Sequence, residues 1–220
     1  MNKTALILGA TGLIGNLLLE RLIKDDDYIQ IKIFTRKSTG NTSPKVKEFV
    51  GDLLNLESFQ GDFTGDVIFC CIGTTAKKTP DKELYKKIDF GIPVAAAKLA
   101  KQNAISTFLV VSAMGADSQS SIFYNRTKGE MEQAVLGQAI ENTYIVQPSL
   151  IEGDRNETRM GEVLGSFVFK FINPLMVGAL KKYRSIHAGT IAKALIVLAK
   201  GTVKKHTFTS DEIQELGNSF

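Results

Sequence analysis

Cysteine is nearly absent from this chain, and its placement rules out more than it offers. Cys70 and Cys71 are the only two. A disulfide between neighbours would be strained, and the pair lacks metal-ligand spacing, so no metal site is expected. They read as reduced core residues. A basic stripe is also missing. The net charge is only +4, and Lys77-Lys78, Lys86-Lys87, Lys181-Lys182 and Lys204-Lys205 are scattered as on solvated faces. That pattern argues against nucleic acid as a partner. No basic, apolar and cleavage-site pattern precedes the first strand, which argues against secretion. With the reduced cysteines, it gives a cytoplasmic expectation. Internal repeats, low-complexity tracts and interdomain linkers are lacking as well.

Long hydrophobic runs are limited to one. Residues 163–180 approach the length of a membrane span, but Lys170, Asn173 and Pro174 interrupt them. Asn-Pro would stop a helix there, so no membrane span is expected. The plain reading is a core helix over 161–172 and then a loop. The sharper one is a hydrophobic wall over a substrate site, or a subunit contact that would make a homodimer.

What is present begins at once. Residues 4–8 are apolar or β-branched and read as a buried strand. Gly9, Gly12 and Gly15 follow at three-residue spacing, and 13–23 repeats apolar residues with a helical period. Strand, glycine turn and helix suit a dinucleotide pyrophosphate. Gly9 permits the tight turn, Gly12 lets the backbone approach the phosphates, and Gly15 packs helix on strand. Thr11, Leu13 and Ile14 share that turn, where the helix N-terminus offers free N–H groups and a positive dipole end.

Further strands are expected at 29–35, 46–50, 66–72, 106–112, 143–147 and 205–209. Helices are expected at 82–101 (broken near Gly91 and Pro93), 123–138 and 190–200, with Ser210 capping a last one. Alternating β and α elements imply an α/β fold with a doubly wound parallel sheet. Residues 1–220 form a single domain in this reading, with 149–185 as a small C-terminal lobe over the substrate pocket. Ligands in such sheets lie beyond the carboxyl ends of the strands.

Those ends carry the candidate site. After the second strand come Arg36 and Lys37, with Ser38 and Thr39 beside them, where an NAD site usually places an acid. Two cations suit a 2′-phosphate, which favours NADP (NADPH) over NAD. After the third, Asp52 can accept from an adenine amino group with Leu53 on the ring, or can cap a short helix at 55–59. After the fourth, Gly73, Thr74 and Thr75 can approach phosphates or ribose. The fifth ends in Ser112. Tyr124 lies twelve positions on, and Lys128 four further, on one helix face. An ammonium nearby favours tyrosinate. Tyr124 can then exchange a proton with a carbonyl or alcohol oxygen, while Ser112 hydrogen-bonds that oxygen and Lys128 holds the nicotinamide ribose.

At this point the chain resembles an atypical short-chain dehydrogenase/reductase. The likeness rests on the glycine motif over 9–15, then Ser112, then Tyr124-Asn125-Arg126-Thr127-Lys128. Residues 69–75, 112–117 and 128–130 are similar to the Tat-interacting-protein-like branch, which binds NADPH. The resemblance implies a Rossmann-like sheet and sets Pro148, Ser149 and Leu150 beside the nicotinamide. The family's asparagine before the fifth strand has no match, and Asp89, nearby in sequence, is not equivalent chemistry. The leading expectation is an NADP-dependent oxidoreductase acting on a small carbonyl or alcohol. The alternatives are a cofactor-binding regulator without turnover and a sugar-nucleotide-modifying enzyme, for which the chain is short. The substrate is an unidentified small molecule. Its pocket would be apolar, with Arg155, Arg159 and Arg184 available for an acidic end.

Overall fold

The computed structural model describes residues 2–153, 178–201 and 203–220. Its strands and helices are β1 (Lys3–Leu8), α1 (Leu13–Lys24), β2 (Tyr28–Thr35), β3 (Val46–Val50), β4 (Val67–Cys70), α2 (Lys82–Lys86), α3 (Ile92–Gln102), β5 (Thr107–Val111), α4 (Phe123–Leu136), β6 (Asn142–Gln147), β7 (Ile151–Glu152), β8 (Ile186–His187), α5 (Ala188–Lys200), β9 (Thr207–Thr209) and α6 (Ser210–Asn218). Seven of the strands form one sheet in the order β3-β2-β1-β4-β5-β6-β9, and every pairing in it is parallel. A parallel sheet buried on both faces needs continuous apolar strands. Alternate residues serve opposite cores. Ala5 and Ile7 pack with Leu18 and Leu22 of α1 and with Ile191 and Leu195 of α5. Leu6 and Leu8 pack with Ala96 and Ala100 of α3 and with Met131 and Val135 of α4. The chain order reverses between β1 and β4, and the crevice at that switch point is where such sheets bind ligands.

Several expected elements shift for local reasons. The stretch 82–101 is divided into α2, one π-helical turn over Lys87–Gly91, and α3 with Pro93 in its first turn. The last helix is capped by Thr209 rather than Ser210. Thr209 and Glu212 form a capping box, which satisfies two end donors reciprocally. Asp52 caps the 3-10 helix Leu53–Phe59 by accepting from the Leu54 N–H at 2.9 Å. The expected helix at 161–172, most of the apolar stretch 163–180, Arg155 and Arg159 lie outside the described residues, as does much of the lobe at 149–185. Among the described residues no helix is long and apolar enough to cross a membrane. Both cysteines are free, and burial pushes the Cys70 thiol up to about 11.

Candidate active site

The site is assembled at the carboxyl ends of β1, β4, β5 and β6. After β1 the backbone turns at Gly9, whose φ of +85° disfavours any side chain. A Cβ there would also lie 2.7 Å from the Cys71 carbonyl oxygen. The Gly12 N–H closes the turn onto Gly9 O at 2.9 Å. Gly15 brings α1 against the turn: a Cβ on it would fall 2.1 Å from Gly9 O. Gly12, the N-cap of α1, contributes no side-chain cap, and the first turn carries no acid. The end donors of α1 thus face the crevice without a capping side chain, a cradle for an anion.

The loop after β4 lies next. Gly73 crosses directly over a buried ion pair, since a Cβ there would be 3.7 Å from Asp89 Oδ1 and 3.9 Å from Lys128 Nζ. Lys128 Nζ stands 2.9 Å from Asp89 Oδ1. Asp89 Oδ2 accepts the Thr74 N–H at 2.7 Å. The Thr74 and Thr79 hydroxyls pair at 2.8 Å, and Thr75 Oγ1 accepts from the Lys78 N–H at 3.3 Å. Burial alone would lower the Lys128 pKa, but the Asp89 charge and Tyr124 outweigh it and hold the ammonium protonated. Asp89 is the residue that sequence reasoning set aside. Its signal was available: an acid seven residues after Lys82 in a helix broken just beyond it. What the sequence did not show was that a π turn would aim it at Lys128.

Tyr124 is 40% exposed on α4, one turn before Lys128. Tyr85 of α2 packs edge-on against Phe123 at 5.6 Å between ring centroids. Burial, Asp89 and Tyr124 all push the Tyr85 phenol up. Ser112 is buried at the end of β5, and its N–H donates to Val146 O at 2.8 Å. Its hydroxyl donates to Glu132, a residue that sequence reasoning did not reach. Gln147 Nε2 donates to both Glu132 oxygens at 3.0 Å. After β6, Pro148 O accepts the Met114 N–H and Leu150 O accepts the Ile186 N–H, each at 2.9 Å. The Ser149 hydroxyl meets the Arg184 carbonyl and Ser210.

The outer residues are arranged differently. Arg36 and Lys37 are exposed after β2. The neighbouring Ser38 and Thr39 hydroxyls are taken by Glu48 of β3, whose carboxylate is held below its usual range by those bonds. Asp52 is occupied as a helix cap, and Leu53 is buried in the core.

A glycine-cradled helix end beside a buried lysine at a topological switch point defines a dinucleotide-binding α/β domain. The NAD(P)H-binding family matches residues 9–167, and the chain belongs to it. Among curated relatives, FMP52-1, mitochondrial, of Scheffersomyces stipitis is 32% identical over 183 residues, covering 81% of this chain and 76% of that one. HTATIP2 of Rattus norvegicus is 28% identical over 222 residues, covering 98% and 90%. Of solved structures, UDP-glucose 4-epimerase from Thermotoga maritima superposes with a TM-score of 0.69 at 14% identity, covering 98% of this chain and 82% of that one. Vestitone reductase from alfalfa does so at 0.66 and 16% identity, covering 94% and 76%. These two share the Rossmann-like fold. The cytoplasmic expectation is overturned by the relatives, several of which are named as mitochondrial proteins. A missing secretory pattern and reduced cysteines separate secreted from internal proteins, but cannot separate cytoplasm from mitochondrion.

Proposed function

We propose that this protein is an NADP-dependent oxidoreductase acting on a small carbonyl or alcohol, in the mitochondrial setting of its named relatives. The observation that carries this reading is the buried Lys128 ammonium set against Gly73 at the switch-point crevice, one turn from Tyr124. The residues present fit the cofactor. Gly9, Thr11, Gly12, Leu13, Ile14 and Gly15 would cradle the pyrophosphate. Arg36 and Lys37 would grip the 2′-phosphate, and Gly73, Thr74 and Thr75 would line the path to the ribose. Asp52 and Leu53 would border the adenine, and Pro148, Ser149 and Leu150 the nicotinamide. The bound cofactor would supply or accept the hydride. Tyr124 would exchange the proton with the substrate oxygen, Lys128 would hold the ribose, and Ser112 would support the oxygen as charge develops.

A second reading, a cofactor-binding regulator with little turnover, is favoured by one observation: the Ser112 hydroxyl is committed to Glu132. Oxidation of NADPH against a panel of aldehydes, ketones and quinones separates the two. Steady turnover of one carbonyl class supports the oxidoreductase. Tight NADPH binding with no turnover across the panel overturns it in favour of the regulator.

A further inference from the structure

Two neighbouring strand ends of the sheet converge on one carboxylate. Ser112 follows β5, and its N–H is tied to Val146 O of β6 at 2.8 Å, which fixes its backbone. Its hydroxyl meets Glu132 of α4. Gln147, the last residue of β6, donates its Nε2 to both Glu132 oxygens at 3.0 Å. Ser112 is 5% exposed, which leaves its hydroxyl little access to solvent.

We propose that Glu132 is the positioning residue for Ser112: the hydrogen they share decides whether the Ser112 hydroxyl donates to the substrate oxygen. The proposal rests on the oxidoreductase reading, in which Ser112 supports that oxygen. A hydroxyl has one hydrogen and two acceptor lone pairs. Against an ionised Glu132, which only accepts, that hydrogen is held by the carboxylate. Against a neutral Glu132 the carboxyl donates into the Ser112 oxygen, and the serine hydrogen is released for another acceptor. Gln147 donates to Glu132 in both states and keeps the carboxyl in place while its proton comes and goes. The hydride step forms and breaks no bond to Glu132. The shared hydrogen acts on the rate, through the support given to the oxygen as charge develops, and it does so for reduction and oxidation alike.

Burial is the main influence on Glu132 and raises its pKa, while the bonds from Ser112 and Gln147 and the Lys128 charge oppose it without cancelling it. The other charged groups around α4 are engaged elsewhere. Asp89 of the π turn lies 2.9 Å from Lys128. Lys86 of α2 pairs with Glu130 at 2.7 Å, and Arg126 donates to Ser120 O at 2.7 Å. Asp117, in the loop after β5, accepts the Gln119 N–H at 2.9 Å. On α3, Lys101 donates to Ala139 O at 2.9 Å, and Lys98 is exposed. The Tyr85 phenol of α2 and the Cys70 thiol of β4 are both pushed up by burial.

The test pairs a cofactor-free titration with a rate profile. Isotope-edited NMR of glutamate-labelled protein follows the Glu132 carboxyl. In the wild type it should titrate above the ordinary glutamate value of about 4.3. Ser112→Ala removes a donor to the ionised form, so the Glu132 pKa should rise by about half a unit or more. With NADPH and a carbonyl substrate, wild-type kcat/KM should fall about ten-fold or more as pH rises through the Glu132 titration. Glu132→Gln carries a permanent donor for Ser112 and an acceptor for Gln147, so it should lose that decline. Ser112→Ala should lack the decline too, with a low rate throughout. A Glu132 titration unmoved by Ser112→Ala shows that the two groups are not coupled, and overturns the proposal without any turnover being measured. A wild-type rate that stays flat while Glu132 titrates overturns it as well. So does a decline that survives in Ser112→Ala, whether or not Glu132→Gln folds. Coupled titrations with no turnover across the carbonyl panel would sustain the shared hydrogen and overturn the oxidoreductase reading instead.

Discussion

Ser112 at the end of β5 donates its hydroxyl hydrogen to Glu132 of α4, and Gln147 at the end of β6 clamps both oxygens of that carboxylate. A serine has one proton to give. While Glu132 is ionised, Ser112 cannot also donate to a substrate oxygen, whereas a protonated Glu132 can donate to Ser112 and release that proton. Burial raises the Glu132 pKa, and the bonds from Ser112 and Gln147 and the Lys128 charge oppose it without cancelling it. The folded protein therefore holds the Glu132 proton more tightly than the unfolded chain does. This contribution is fully present below the ordinary glutamate range and is lost as pH rises through the raised folded value. Glu132→Gln should lose stability less steeply than the wild type across that window. Melting temperatures of the two at acid and neutral pH check this, and an identical difference at both pH values would contradict it.

The sheet was legible because parallel strands buried on both faces announce themselves as apolar runs. β3 falls at 46–50 as expected, and β2 and β6 differ from expectation by one residue each at their starts. β4 and β5 come out shorter, since Ile72 and Ser112 continue apolar or small composition past the last ladder bond. Helix 123–138 ends two residues early, at Leu136 before Gly137. The glycine cradle was readable from spacing alone. The polar partners were not. Asp89, Glu132 and Glu48 take their places from a π turn, a helix face and an edge strand, and charge placed by tertiary packing leaves no periodic signal. The caps were ambiguous for a similar reason. Asp52 bonds its own helix start, and Thr209 displaces Ser210 because Glu212 completes its box.

Two glycines of the cradle should fail in different ways. A Cβ at Gly12 meets only Gly9 O, at 3.3 Å, whereas one at Gly15 falls 2.1 Å from that oxygen and 2.8 Å from the Gly9 carbonyl carbon. Gly12→Ala should fold with a melting temperature near that of the wild type and lose cofactor affinity. Gly15→Ala forces backbone apart and should destabilise the fold by about 1–3 kcal/mol, the usual scale of overpacking. Denaturant melts combined with calorimetric titration of NADPH distinguish them. An unchanged dissociation constant in folded Gly12→Ala would mean that the pyrophosphate lies elsewhere.

In the proposed NADP-dependent reading, cofactor preference turns on the exposed pair after β2. Glu48 already binds Ser38 and Thr39, so a 2′-phosphate would have to be held chiefly by Arg36 and Lys37. Hydrogen bonds to charged groups contribute about 1.5–3 kcal/mol, so Arg36→Ala should weaken NADPH by about ten-fold or more. NADH, without the phosphate, should change little. Equal affinities of the wild type for NADPH and NADH would refute the preference.

Tyr124 and Lys128 should separate chemistry from architecture. Tyr124 is half exposed, and Tyr124→Phe keeps its ring, so stability should change by no more than about 0.5 kcal/mol, as for most surface changes. Turnover should nevertheless fall by roughly 10²-fold or more, the scale of general acid–base catalysis, with NADPH affinity nearly constant. Lys128→Met is different in kind. It strands the fully buried Asp89 charge, which should cost about 3–5 kcal/mol. A chain of this size loses roughly 2–4 °C of melting temperature per kcal/mol, so the effect is readily measured. Adding Asp89→Asn to Lys128→Met removes the stranded charge and should recover much of that loss without restoring turnover. A thermal melt of the single and double variants, run beside carbonyl-reduction assays, reads both consequences. If Tyr124→Phe turns over at the wild-type rate, the proton comes from another group. If the double variant is no more stable than Lys128→Met alone, the Asp89 carboxylate was never held by the lysine.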